Sequence, residues 1–124
     1  MTKTEFKEAV RDLLSQSMSG FPSWEARLSY LRQVAVELDK DQSHDESNKG
    51  SSWADDELRL VLQLPPTREN MMKLARAFKR GYGSIEQIYR WAAEDARSIQ
   101  QKRPDDAFIQ QIKRIASEIG WRAT

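Results

Sequence analysis

The side chains best equipped for chemistry in this chain are cations, and they are unevenly spread. Between Pro66 and Ala92 stand six basic residues, Arg68, Lys73, Arg76, Lys79, Arg80 and Arg90, against two acids, Glu69 and Glu86, an excess of four positive charges. From Met1 to Gly50 the balance reverses, with seven basic residues and nine acids, while the 124-residue chain as a whole carries only +1. Positive charge focused on one half fits a surface that meets phosphate. The plainer reading is a pair of solvated helix faces. Arg90 and Gln87 are the types that pair with guanine and adenine edges. Lys79, Arg80 and Tyr82 flank a glycine-bracketed turn and are candidates for phosphate contact. Ser84 and Arg97 complete the candidate DNA-binding set. Arg90 has a competing role, because Glu86 and Glu94 each lie four residues away and can pair with it along a helix. Glu86 on the same face opposes phosphate unless it accepts from a cytosine amine.

Other chemistry has few bearers. There is no cysteine, and the one histidine, His44, sits in a polar stretch. Nucleophilic catalysis needs a nucleophile beside a base, and the common pairings are missing. Asp55-Asp56 and Asp105-Asp106 read as charges at helix starts rather than as metal ligands or an acid–base pair. Gly81-Tyr82-Gly83 lacks the lysine pattern and preceding strand of a phosphate loop. The expectation is therefore a protein that is not an enzyme, with no metal and no cofactor.

The candidate residues need helices to position them. In Trp53–Trp91, Ser52 stands at an N-cap position, followed by the acidic run Asp55 to Glu57 and by Ala54, Leu58, Val61 and Leu62 at helical spacing. Pro65-Pro66 ends that helix. Thr67 caps a second, with Met71, Leu74, Ala75 and Phe78 on one face. Gly81-Tyr82-Gly83 breaks it. Ser84 caps a third helix, read over residues 84–101, with Ile85, Ile88, Ala92 and Ile99 inward and Glu86, Gln87, Arg90, Glu94 and Arg97 outward. Trp53 and Trp91 read as core residues, since large aromatics dominate small cores.

This stretch resembles the Myb/SANT-like class of helix-turn-helix DNA-binding domains. The residues that carry the resemblance are Trp53 with Asp55 to Glu57, Leu74-Ala75, Arg80, Ser84, Ile88, Arg90 and Trp91, about a third of the chain. Two features depart from the family pattern: Met71 or Met72 stands near the place of the mid-domain tryptophan, and the Pro-Pro-Thr junction is atypical. The resemblance implies a tri-helical fold whose third helix enters the major groove of double-stranded DNA.

The remaining chain is organised around that unit. Thr2 to about Met18 reads as a helix opened by a Thr2/Glu5 capping box, with Phe6, Val10, Leu13 and Leu14 on one face. Ser23 caps a second helix carrying the seam Trp24, Leu28, Leu31, Ala35 and Leu38. A hairpin this small needs something to pack on: the second half of the chain, a second copy or a protein partner. Residues 40–51 hold no apolar side chain and read as a mobile linker. Pro104, Asp105 and Asp106 open a last helix with the stripe Phe108, Ile112, Ile115 and Ile119, closed by Gly120, beyond which Trp121 can fold back. The predicted architecture is all-α with about six helices: a hairpin over 1–39, a linker over 40–51, and a helix-turn-helix unit with an added C-terminal helix over 52–124. No signal-peptide pattern or membrane-length apolar run is present, so a cytoplasmic protein is the expectation. The predicted function is DNA binding, as a small transcriptional regulator or the DNA-targeting subunit of an assembly. Its rivals are a protein-interaction module and a phage- or plasmid-type inhibitor of a host complex, because one fold serves several functions.

Overall fold

The computed structural model of the protein describes residues 1–122 and is all-α, with seven helices and no strand among them. It divides into two compact units, Met1–Arg32 and Gln33–Thr124. Local rules set most helix starts. In α1 (Lys3–Ser15), Thr2 Oγ1 accepts from the Glu5 amide at 3.1 Å and the Glu5 carboxylate accepts from the Thr2 amide at 3.2 Å, a complete capping box. Ser23 Oγ accepts from the Ala26 amide at 3.1 Å and opens α2 (Trp24–Lys40). Arg27 donates to the carbonyls of Leu14 and Gln16 at 2.6 and 2.8 Å, joining α2 to the end of α1.

Neither α1 nor α2 contains a buried residue. Phe6, Leu13, Trp24, Tyr30 and Leu38 are all more than half exposed. Among the described residues nothing closes the seam on α2: Leu28 and Leu31 are half-buried, whereas Trp24, Ala35 and Leu38 are exposed. Two short amphipathic helices have too little apolar surface to exclude water from a core of their own.

The core belongs to the other unit. It is built from α3 (Asp55–Gln63), α4 (Arg68–Ala77), α5 (Tyr82–Ala93) and α7 (Ala107–Ile119). Leu58, Val61, Leu74, Ala75, Ile85, Ile88, Ile112 and Ile115 pack there, nearly or wholly without solvent contact. The last helix is no appendage, because α7 lies against both α3 and α5 while α4 packs on α5. Its apolar residues 109, 112, 115, 116 and 119 recur along a single helical stripe. Polar contacts fix α3 to α7: Arg59 clamps Glu118 at 2.6 and 3.2 Å, and Arg114 reaches Asp55 at 2.9 Å. The Tyr89 hydroxyl reaches the carbonyls of Val61 at 2.6 Å and Leu64 at 3.0 Å, satisfying the end of α3 just before Pro65.

Three element boundaries differ from the sequence reading. Ser52 is not a cap; α3 starts after Ala54, whose amide donates to Glu57 Oε1 at 2.8 Å. Ser84 is not a cap either, because α5 begins at Tyr82 behind an extended Gly81. The helix expected over residues 84–101 is two helices, α5 and α6 (Ala96–Lys102). The break lies at Glu94-Asp95, where Asp95 accepts from the Ser98 amide at 2.7 Å as a new N-cap. Lys113 stabilises the same break from α7 by donating to the carbonyls of Ala92 and Glu94 at 3.0 and 2.6 Å. Thr67 and Asp106 cap α4 and α7 through the amides of Asn70 and Ile109. Gly120 takes φ 69°, which lets the Trp121 amide close on the Ala116 carbonyl at 2.9 Å, with Trp121 packed against the core.

Candidate functional site

The candidate site is α5 and the turn that leads into it. After α4 the chain passes Phe78, Lys79 and Arg80 to reach Gly81. Lys79 holds φ 56°, a left-handed conformation uncommon for a side chain of its kind, and the Arg80 amide returns to the Ala75 carbonyl at 2.8 Å. Ile85, Ile88, Tyr89 and Ala92 turn inward on α5, while Gly83, Gln87, Arg90 and Ala93 form an exposed stripe on its far side.

The sequence-predicted residues part company here. Gln87 and Arg90 are exposed along α5, and Ser84 is half-buried in its first turn. Arg90 donates to Glu86 Oε1 at 2.8 Å, the intrahelical pair that competes with base reading. Lys79 is exposed on the turn. Tyr82 is half-buried under the Lys40 ammonium, 4.5 Å from its ring centroid, and burial raises its hydroxyl pKa. Arg97 lies on α6, beyond the break, and does not continue the α5 face.

Arg80 is the clear correction. It is 4% exposed, stacked 3.9 Å from the Trp53 ring centroid, and donates to the carbonyls of Ser51 and Ser52 at 2.7 and 3.0 Å. Its guanidinium fixes the approach to α3 and is not free to meet a phosphate. Its Nε–H is buried without a hydrogen-bond partner. A groove of about 470 Å³ runs beside it, lined among others by Ser52, Trp53, Ser84, Gln87 and Phe108.

The stretch read as a mobile linker, with no apolar side chain to bury, is fastened to this turn. His44 Nε2 donates to the Arg80 carbonyl at 2.7 Å, and Asn48 donates to Phe78 O through its side chain and to Lys79 O through its amide, both at 3.0 Å. The Asp45 carboxylate stands 4.0 Å from Lys79 Nζ. Hydrogen bonds from Ser47 hold the Asp45 pKa below its ordinary range, with a smaller contribution from Lys79. The Glu46 carboxylate lies so close to Gly81 that a Cβ there would stand 2.6 Å from Oε1. His44, Glu46 and Asn48 were missed because each acts on backbone some thirty residues away; the one local signal was the Asp-Glu-Ser-Asn run, whose short polar side chains suit bonding to turns.

The basic residues counted in the sequence are also engaged. Arg68 pairs with Glu37 at 2.6 Å, Arg76 with Asp39, and Lys73 with Glu69 at 3.3 Å. The positive excess of this half is thus met by acids from α2 and the segment after it.

Among the described residues, no cluster of His, Asp and Glu could hold a metal ion, and no helix is long and apolar enough to cross a membrane. No solved structure matches the chain. The family model described as "Uncharacterised protein PM1205 C-terminal domain" matches residues 47–123, and neither this description nor that of the similar protein below names a Myb/SANT-like domain. The chain is also similar to "Uncharacterized protein PM1205" of Pasteurella multocida (strain Pm70), 39% identical over 125 residues that cover 98% of this chain and 99% of that protein. With residues 47–123 matched by the family model and 98% of the chain by a relative 39% identical, the chain belongs to the PM1205 family.

Proposed function

We propose that this protein binds double-stranded DNA without catalysing a reaction, with α5 lying in the major groove. The observation that carries the reading is the exposed stripe Gly83, Gln87, Arg90 and Ala93, which is the outer face of a helix whose other side is anchored in the core. Two small residues let the backbone approach closely, and Gln87 and Arg90 supply donors suited to purine edges. At a rise of about 1.5 Å per residue, α5 is long enough to follow the groove across several base pairs. Lys79 on the turn and Lys73 and Arg76 on α4 supply phosphate contacts. Their present ion pairs are solvent-exposed and therefore weak competitors. Arg90 exchanges Glu86 for a base edge on binding. Such a protein serves as a small transcriptional regulator or a DNA-targeting subunit.

Titration with random duplex DNA at low and moderate salt tests the reading. Binding should weaken steeply with salt, and Lys79→Ala should lower the slope of log affinity against log salt by about one unit. Absence of duplex binding even at low salt removes the proposal. A second reading, a protein-interaction module, is favoured by one specific observation: Phe6, Leu13, Met18, Trp24 and Tyr30 of the Met1–Arg32 unit are exposed. It takes over if duplex DNA is not bound.

A further inference from the structure

We infer that the acidic stretch from Glu37 to Glu46 acts as an internal stand-in for the DNA backbone, occupying the cations and the turn that a duplex needs. The inference rests on the DNA-binding reading above and concerns the regulation of that same face. Four carboxylates lie against the cations of α4 and the turn that leads into α5. Glu37 and Asp39, near the end of α2, pair with Arg68 and Arg76 of α4. Asp45 faces Lys79, and Glu46 lies against Gly81 at the start of α5. A carboxylate beside the first turn of a helix takes the place where a phosphate is favoured. His44 and Asn48, on either side of the two acids, hold the stretch in register by bonding the carbonyls of Phe78, Lys79 and Arg80. Negative charge is thus tied by two hydrogen-bonding anchors to the backbone of the very turn that precedes the candidate reading helix.

The arrangement is built to yield. Every ion pair in it is exposed, with side-chain exposures from 36% to 59%. Exposed pairs in high dielectric are individually weak, and their persistence here comes from being intramolecular. A duplex offers a dense row of phosphates and gains from the release of its counterions. The two anions therefore compete for one set of cations, and the apparent DNA affinity is the intrinsic affinity reduced by the fraction of molecules in which the acidic stretch has lifted. Salt weakens both sides of the competition, so the wild-type salt dependence is shallower than the number of surface cations implies.

The test uses the full chain. D39N/D45N/E46Q removes three of the four charges and keeps side-chain size. E8Q/D12N/E25Q changes net charge by the same amount using acids that form no ion pair with α4 among the described residues. The first variant should bind random duplex about tenfold more tightly at low salt, each exposed pair contributing a factor of roughly two to five, with a salt slope steeper by about two units. The control should gain no more than about twofold from net charge alone. In wild type, DNA should speed hydrogen exchange at the Asn48 amide, because its bond to Lys79 O must open. Equal gains in the two variants, or an Asn48 amide that stays protected in the complex, overturn the inference. Wild-type binding with an unmoved D39N/D45N/E46Q variant removes this inference and leaves DNA binding standing. Failure of every form, including the neutralised one, to bind duplex at low salt removes both.

Discussion

Arg80 separates two physical accounts of the same residue. If it served phosphate, Arg80→Ala would leave stability within about 0.5 kcal/mol of wild type, as exposed substitutions do, and would weaken DNA binding. Its position in the fold predicts the opposite order of effects. The side chain is 4% exposed, stacks 3.9 Å from the Trp53 ring centroid, and donates to Ser51 O and Ser52 O. A desolvated cation–π contact contributes about 2 kcal/mol, and each charge-assisted hydrogen bond contributes about 1.5 kcal/mol. Against this stands the cost of a buried charge and of the unpartnered Nε–H, which offsets about 2 kcal/mol. The net loss for Arg80→Ala is then about 3 kcal/mol, or a fall in Tm on the order of 15 °C for a unit of this size. Arg80→Met should cost about half as much, since the aliphatic stem still covers Trp53 and the exposed serine carbonyls can turn to water. Urea melts followed by tryptophan fluorescence give both numbers. A melt for Arg80→Ala that overlays wild type would refute the reasoning and return Arg80 to the surface.

Two further predictions concern groups that lock the helices together. Tyr89→Phe should lose about 1–2 kcal/mol by removing the donor to Val61 O and Leu64 O. Burial raises the Tyr89 pKa from 10.0 to about 12, so the stability it brings is complete below pH 10 and is lost as pH rises toward the folded value; a phenolate titration in which all three tyrosines ionise together near pH 10 while the chain stays folded counts against this. At the other end, the Arg114 bond lowers the Asp55 pKa from its ordinary 3.8, and the Arg59 bond lowers that of Glu118 from its ordinary 4.5. Stability from both is present above those values and drains as pH falls through the lower folded ones, so Glu118→Gln should flatten the acid limb of a stability–pH curve; parallel limbs for wild type and variant would disprove it.

The parts legible in the sequence are those decided within a turn or two of chain. Thr2, Ser23 and Thr67 cap as expected because a hydroxyl reaching an amide three residues on is a local event. The apolar stripe of α7 and the left-handed Gly120 follow equally local rules. Ser52 and Ser84 satisfied the same local rule and still failed. The Ser52 carbonyl is drawn to Arg80, and the carbonyl just before Gly81 is held by His44, so contacts across the fold place those two helix starts. The break between α5 and α6 carried its own signal in Asp95, a residue type favoured at an N-cap. The apolar period from Ile85 through Ile88 and Ala92 to Ile99 ran across it and masked the capping signal.

Charge is where a linear reading had least purchase. A count of cations between Pro66 and Ala92 is correct as arithmetic, yet it treats each as facing solvent alone. In the fold, Arg68, Arg76 and Lys79 face Glu37, Asp39 and Asp45, Lys73 and Arg90 face acids one turn away, and Arg80 is inside. The deficit of the first half and the excess of the second are therefore not independent features. Part of one neutralises the other. A nucleic-acid surface then depends less on net charge than on which cations stay solvent-accessible and how weakly their present partners hold them. On that measure Arg68, Lys73, Lys79 and Arg90 stay more than half exposed, and Arg76 nearly so. Arg80 and Arg97 leave the set, the first because it is buried and the second because it sits on another helix.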